Sequence, residues 1–167
     1  MGRLARILRT YGPAIAWAAL IFSASTEGLS APHTSRFIVP LLHWLLSRAD
    51  METVELLHIL IRKTAHVVEY FVLSLLVLRA VRAGRPGWRL RWALTAALVA
   101  AGYSAIDEFH QWLVPNRGAS GWDSLLDTSG ALAAQVASWL WARSRFRGTA
   151  WSGDKNLEHA PVKTRHE

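Results

Sequence analysis

The chain has 167 residues, enough for one domain, and it is 51% hydrophobic with nine tryptophans and 19% charged residues, a composition more typical of a membrane protein than of a soluble domain. It contains no cysteine, which excludes disulfides, thiolate nucleophiles and cysteine-ligated zinc. The net charge of +7 does not predict nucleic-acid binding, because the arginines gather in short blocks beside apolar runs, where positive charge orients membrane proteins.

The first apolar run, YGPAIAWAALIFSAS, covers residues 11–25. It is short, because a helix needs about 20 residues to cross the hydrocarbon of a bilayer. Three arginines precede the run and small residues end it at 23–25, so a cleaved signal peptide is an alternative. A retained transmembrane helix is favoured, because further apolar runs follow.

Three longer apolar runs follow, at about 56–79, 90–113 and 122–142, and each predicts a transmembrane helix. The segment HTSRFIVPLLHWLLSR, between the first and second runs, is amphipathic and is interrupted by Pro40. Such a segment is expected to lie along the membrane interface and not to cross the bilayer.

The arginine blocks predict the orientation of these runs. They stand before the first run, between the second and third, and after the fourth, whereas the segment 26–55 holds more acidic than basic residues. Both termini are therefore expected to be cytoplasmic. The predicted fold is an all-α integral membrane protein, a small bundle of about four transmembrane helices with an extra interfacial helix. The transmembrane domain covers 1–147, and a polar tail over 148–167 is expected to be disordered and cytoplasmic.

Ionisable residues stand at the same predicted depth on three of these helices. They occupy the outer half of the second helix, the outer end of the third and the first turns of the fourth. On the second helix they cover an arc of roughly 120°, and on the third an arc of roughly 100°, at 100° per residue. Since charged groups in a membrane normally face the bundle interior and pair, the sequence predicts a polar pocket open to the outside.

Two features are expected to shape this pocket. Small residues recur every four positions, which would let the helices approach closely, at Ala97, Ala101 and Ala105 and again at Gly130, Ala134 and Ser138. The loop VPNRGASGWD is expected to lie over the pocket and to bring Arg117, whose guanidinium matches carboxylate or phosphate oxygens.

The spacing of these polar residues resembles that of the VanZ-like membrane protein family over about residues 13–140. The pattern consists of Lys63-x-x-His66-x-x-Glu69-Tyr70, Asp107-Glu108-x-x-Gln111, Pro115-x-Arg117, Asp123 and Gly130, with FSAS ending the first helix. Two residues, Asn116 and Asp127, differ from the residues that are common at these positions in the family. The resemblance implies a multi-pass protein of the bacterial inner or cytoplasmic membrane. The family is named after a member linked to low-level resistance to teicoplanin. The family name therefore indicates a membrane location and a resistance phenotype, but it does not imply a particular reaction.

One interpretation of the pocket is an enzyme, a hydrolase or transferase acting on lipid-linked phosphate, ester or amide groups. His66 or His110 would be the general base, oriented by Asp107 or Glu69. Arg117 and Lys63 would stabilise developing negative charge. The candidate catalytic residues are His66, Glu69, Asp107, Glu108 and Arg117, and the candidate binding residues are Lys63, Tyr70, His110, Gln111, Asp123 and Asp127.

Other interpretations stay open. The pocket could bind without turnover an anionic envelope lipid, a lipid-linked precursor or the antibiotic, or its charges could form an ion-pair network that fixes helix register. A divalent metal on His66, Glu69, Asp107 and His110 is a further variant, but Lys63 would repel it, so no cofactor is predicted. Transport is the least supported, since no polar path continues inward. The expected partners are membrane lipids and an anionic envelope component, without nucleic acid.

Overall fold

The computed structural model describes residues 2–25, 31–114 and 120–152, and in these ranges the chain is all α-helical. The five helices are α1 (Arg3–Ala24), α2 (Ala31–Leu45), α3 (Met51–Arg82), α4 (Leu90–Leu113) and α5 (Gly121–Ser152). The helix α5 continues into the start of the predicted tail, and residues 153–167 lie outside the described part of the chain.

Helix α3 is the centre of the fold, and it packs against α1, α2, α4 and α5. A core of apolar side chains fills the space between α1, α3, α4 and α5, with Tyr70 and Leu73 of α3 at its centre and Trp92 of α4 beside them. Because α3 contacts every other helix, the packing against α3 determines which polar side chains of the neighbouring helices lie close together.

Helices α3 and α5 approach each other closely at Gly130. A Cβ atom added at Gly130 would stand 2.3 Å from the backbone oxygen of Val67, so only glycine fits at this crossing. The expected row of small residues on α5 is therefore used in packing, since Ala134 is also fully buried. The row expected on α4 is wrong in part: Ala97 is buried but Ala105 is exposed, because the packed face of α4 instead follows Ala93, Ala96 and Ala100.

Two helices of the described chain, α1 and α3, are long and apolar enough to cross a membrane, with mean hydropathies of 1.3 and 1.6 over their most apolar windows. Length and composition of this kind also occur in signal sequences near an N-terminus and in buried core helices. Together they suggest a membrane protein, and the four-crossing bundle stays a prediction.

Helix α2 is continuous through Pro40, which the sequence had indicated as an interruption. Its 15 residues extend over about 22 Å, too short for the roughly 30 Å of hydrocarbon. Phe37, Leu41 and Trp44 are exposed on it. An exposed apolar face on a short helix fits the predicted interfacial position, which stays a prediction.

Helix α1 is held to the bundle by polar contacts in addition to the apolar packing of Ile21 in the core. The Trp17 indole donates to the carbonyl of Glu69 at 2.9 Å, and the carbonyl of Ala18 accepts from the Tyr103 hydroxyl at 2.7 Å. Pro13 lacks the N–H that would bond to the carbonyl of Arg9 in a regular helix. A guanidinium nitrogen of Arg79 donates to that carbonyl at 3.1 Å instead, so the proline creates a tie between α1 and α3.

Asp50 caps the N-terminus of α3, and its carboxylate accepts a hydrogen bond from the Thr53 backbone N–H at 2.8 Å. Hydrogen bonds from the Thr53 side chain and backbone lower the pKa of Asp50 below its ordinary value of 3.8. A lowered pKa means that the cap stabilises the helix at pH values above 3.8 and is lost as the pH falls through the pKa of the folded state.

Asp50→Ala should therefore lower the hydrogen-exchange protection of the first turn of α3 at neutral pH, since the amide of Thr53 loses its acceptor. In the wild type the same loss should occur only at acidic pH. Glu52→Gln is the matched control, because Glu52 lies in the same turn and is not the capping residue. Unchanged protection in Asp50→Ala at neutral pH would show that the cap does not hold this turn.

Candidate functional site

A buried polar cluster joins the end of α1 to α4. Ser25, the residue after α1, donates from its hydroxyl to Oδ1 of Asp107, and the Gln111 amide donates to Oδ2 of Asp107 at 2.9 Å. The same amide lies 3.3 Å from the Ser25 hydroxyl oxygen. Asp107 and Gln111 are one helical turn apart, so both face Ser25. Both oxygens of this buried carboxylate thus have a donor, which stabilises its charge.

A second cluster joins α3, α4 and α5. Nδ1 of His66 lies 3.6 Å from Oδ1 of Asp127 and 4.0 Å from Oε2 of Glu69. The other oxygen of Asp127 accepts from the Ser104 hydroxyl at 3.0 Å. Asp127 is 2% exposed, whereas the His66 side chain is 25% exposed, so a buried carboxylate lies beside an accessible imidazole at slightly more than hydrogen-bond distance. This is an arrangement that can orient a histidine for proton transfer.

Lys63 and Asp123 form an ion pair one turn further toward the same end of the bundle. Both are partly exposed, with side-chain exposures of 47% and 33%. The Glu108 carboxylate accepts a hydrogen bond from the backbone N–H of Ser120 at 3.1 Å, immediately before α5 begins. These contacts connect α3 and α4 to the beginning of α5.

A cavity of about 170 Å³ opens beside these clusters, between the end of α1, α2 and α3. Its polar lining comes from Ser25, Thr34, Arg62, His66 and Glu69. Ile21 and Ile38 supply part of its apolar wall. Since a water occupies about 30 Å³ in the liquid, the space is large enough for a group of phosphate size and not for a whole glycan.

Among the predicted site residues that the structure describes, only His66 and Glu69 line this cavity. Lys63, Gln111, Asp123 and Asp127 belong to the contacts described above, whereas Tyr70 and His110 belong to neither. Tyr70 is completely buried in the apolar core. The His110 ring packs on Phe22 with a centroid distance of 4.3 Å. Its buried Nδ1 has no hydrogen-bond partner within the described ranges. Both residues therefore pack between helices and do not line the cavity.

The structure also changes the expected pairings. His66 was expected to be oriented by Asp107 or Glu69, but its nearer carboxylate is Asp127, because Asp107 faces Ser25 on α1. Arg117 and the loop expected to lie over the pocket fall in 115–119, outside the described residues. In the segments that the structure covers, no group of three or more His, Asp or Glu side chains is placed to hold a metal ion.

Three residues of the site were not predicted from the sequence: Ser25, Thr34 and Arg62. Ser25 belongs to the FSAS segment that carries part of the family resemblance, so the signal was present. Arg62 and Thr34 carried no signal, because their position at the cavity depends on how α2 packs against α3.

A family model described as VanZ/LLP1 matches residues 11–142 of the chain. This range includes all of the cavity and both buried clusters. No curated protein and no solved structure matches the sequence.

Proposed function

The chain belongs to the VanZ/LLP1 family, and we propose that it is a multi-pass protein of the bacterial cytoplasmic membrane whose outward-facing pocket binds an anionic component of the cell envelope. The pocket is the cavity lined by Ser25, Thr34, Arg62, His66 and Glu69. Lipid-linked glycans and phospholipids are the envelope components that bring a phosphate to this depth. Both termini would be cytoplasmic.

The exposed apolar faces of α4 and α5 support four crossings. Leu98, Ile106 and Phe109 are exposed on α4, and Leu132 and Val136 on α5. In a soluble monomer such faces would be exceptionally large apolar patches, whereas in a bilayer they would contact lipid. Helix α3 has 32 residues and a length of about 48 Å, so its ends would extend beyond roughly 30 Å of hydrocarbon.

The observation that carries the proposal is the mixed lining of the cavity. Arg62 and Thr34 offer donors to phosphate oxygens, and a guanidinium is the side chain best matched to them. Glu69 and His66 can accept hydrogen bonds from sugar hydroxyls. A phosphate attached to a sugar or glycerol presents both phosphate oxygens and hydroxyl groups. Such a ligand therefore matches this lining better than a bare anion does.

A second candidate is acid–base catalysis at the same pocket, and it is favoured by the contact between His66 and Asp127. An oriented imidazole could take a proton from a water or hydroxyl that attacks a phosphate, ester or amide, and pass it to the leaving group. In this case the protein would be a hydrolase or transferase, and Asp127 would be a positioning residue.

The non-catalytic alternative is an ion-pair network that fixes helix register. The Lys63–Asp123 pair and the Ser25–Asp107–Gln111 cluster would suffice for that role. It differs from the two functional proposals in requiring no ligand. Binding measurements on variants of the pocket lining therefore discriminate among the three.

We expect Arg62→Gln to weaken binding of undecaprenyl phosphate or a lipid-linked disaccharide about tenfold or more, since a charge-assisted hydrogen bond is lost. Native mass spectrometry of the purified protein, titrated with each lipid, with phosphatidylglycerol and with teicoplanin, measures this. His66→Gln should weaken the binding of the same lipid. Phosphatidylglycerol binding that is weakened in Arg62→Gln would assign a phospholipid to this pocket, and teicoplanin tests whether the pocket holds the antibiotic.

Arg36→Gln and His43→Gln are the matched controls, because both residues are exposed on α2 and do not line the cavity. Equal binding by Arg62→Gln and Arg36→Gln would contradict the proposed pocket and leave the ion-pair network. A changed mass of the lipid, abolished in Asp127→Asn with binding kept, would establish the enzyme.

A further inference from the structure

A second cavity lies between α1 and α3, at the ends of these helices that are opposite to the pocket described above. Its volume is about 480 Å³, and it is lined by Arg6, Arg9 and Thr10 of α1 together with Arg79, Ala83 and Gly84 at the end of α3. We call it the arginine cavity. The proposed function does not use any of these residues.

The arginine cavity collects positive charge. Among the described residues that line it, three are arginines. An anion in the cavity would interact favourably with these guanidinium groups, which match phosphate oxygens in geometry.

Arg79 is fixed in place at this cavity. Its guanidinium donates to the carbonyl of Arg9, which Pro13 leaves without its usual helical donor. That hydrogen bond uses one of the five donors of the guanidinium group. A guanidinium held in this way is pre-organised, so less conformational entropy is lost when it binds phosphate oxygens.

An apolar groove adjoins the same arginine. Arg79 also lines a groove of about 670 Å³, together with Leu75 and Leu78 of α3 and Trp88 and Trp141 on its other side. An inorganic phosphate would fill only the arginine cavity. A phospholipid would place its phosphate there and lay an acyl chain along the groove, so the two cavities together fit a lipid.

We propose that the arginine cavity binds the phosphate of an anionic phospholipid, with one acyl chain in the groove beside Arg79. Basic pockets between helices at the arginine-rich end of membrane proteins suit such headgroups, because that leaflet is rich in anionic lipid. The site is independent of the envelope-facing pocket and would bind a different lipid at the other end of the bundle.

Titration of the full-length purified protein with phosphatidylglycerol, followed by native mass spectrometry, tests this site. Phosphatidylglycerol should bind in preference to phosphatidylcholine with the same acyl chains. Arg6→Gln and Arg9→Gln should each weaken binding about fivefold, the usual contribution of one basic residue near an anionic membrane surface. The tie between Arg79 and the Arg9 carbonyl is kept in both variants, because only side chains of α1 change.

Arg3→Gln is the matched control, since it removes the same charge from the same helix outside the cavity. Equal weakening by Arg3→Gln would overturn the site in favour of diffuse surface charge. Equal binding of phosphatidylcholine would overturn the anionic headgroup. Millimolar inorganic phosphate should compete weakly, and full displacement of the lipid by it would overturn the groove as part of the site.

Discussion

Gly130→Ala should lower the stability of the purified protein by at least about 2 kcal/mol, which corresponds to roughly 5 °C or more in Tm for a chain of this size. The new methyl group would stand 2.3 Å from the carbonyl oxygen of Val67 and 3.1 Å from its carbonyl carbon. Backbone atoms cannot rotate away as a side chain can, so α5 must move off α3. The His66–Asp127 contact crosses the same interface and should be lost with it.

Gly102→Ala provides the matched control, because Gly102 is also inside a helix but a Cβ there would have no atom within 4 Å. This substitution should be neutral or stabilising by up to about 1 kcal/mol, since alanine favours helix more than glycine. Thermal unfolding in detergent, followed by circular dichroism, compares the two variants. Equal midpoints for both would show that the close approach of α3 and α5 does not exist in the folded protein.

Asp107→Ala should destabilise the protein by about 3 kcal/mol. The substitution removes the acceptor of both the Ser25 hydroxyl and the Gln111 amide, and all three groups are buried. Because burial prevents water from replacing the lost partner, the remaining donors keep their full desolvation cost. Chemical unfolding of the purified variant measures the change.

Asp123→Ala is the comparison for this prediction, because it breaks the partly exposed pair with Lys63 at the same end of the bundle. Exposed ion pairs contribute between 0 and about 1 kcal/mol, so this variant should remain close to the wild type. If Asp123→Ala lowered the free energy of unfolding as much as Asp107→Ala does, the difference in burial between the two clusters would not determine their contributions to stability.

The positions of the helices could be predicted from hydrophobicity alone. The run predicted at 90–113 coincides with α4, and the run at 56–79 lies inside α3. The ends of α3 could not be predicted in the same way, because they depend on the cap at Asp50 and on Ala83, which adopts a left-handed conformation at φ 47°. Hydrophobicity carries no information about either.

The composition of the polar clusters was largely predictable, whereas their pairings were not. Helical periodicity places His66 and Glu69 on one face of α3 and Asp107 and Gln111 on one face of α4. It does not determine how far each helix is rotated toward its neighbour. That rotation depends on contacts such as Gly130 against Val67, and it decides that His66 faces Asp127 and not Asp107.

The polar ties of α1 have a consequence for how the protein assembles. Ile21 is the one fully buried residue among the described positions of α1, with Ala14, Trp17 and Ala18 partly buried against the core, so α1 has fewer buried residues than α3. In the multi-pass arrangement that we propose, helices associate in lipid through close packing and hydrogen bonds, and α1 forms such hydrogen bonds at Trp17, Ala18 and Ser25. We therefore expect α1 to join the bundle late. Until it does, the cavity beside His66 lacks the wall that contains Ile21 and Ser25.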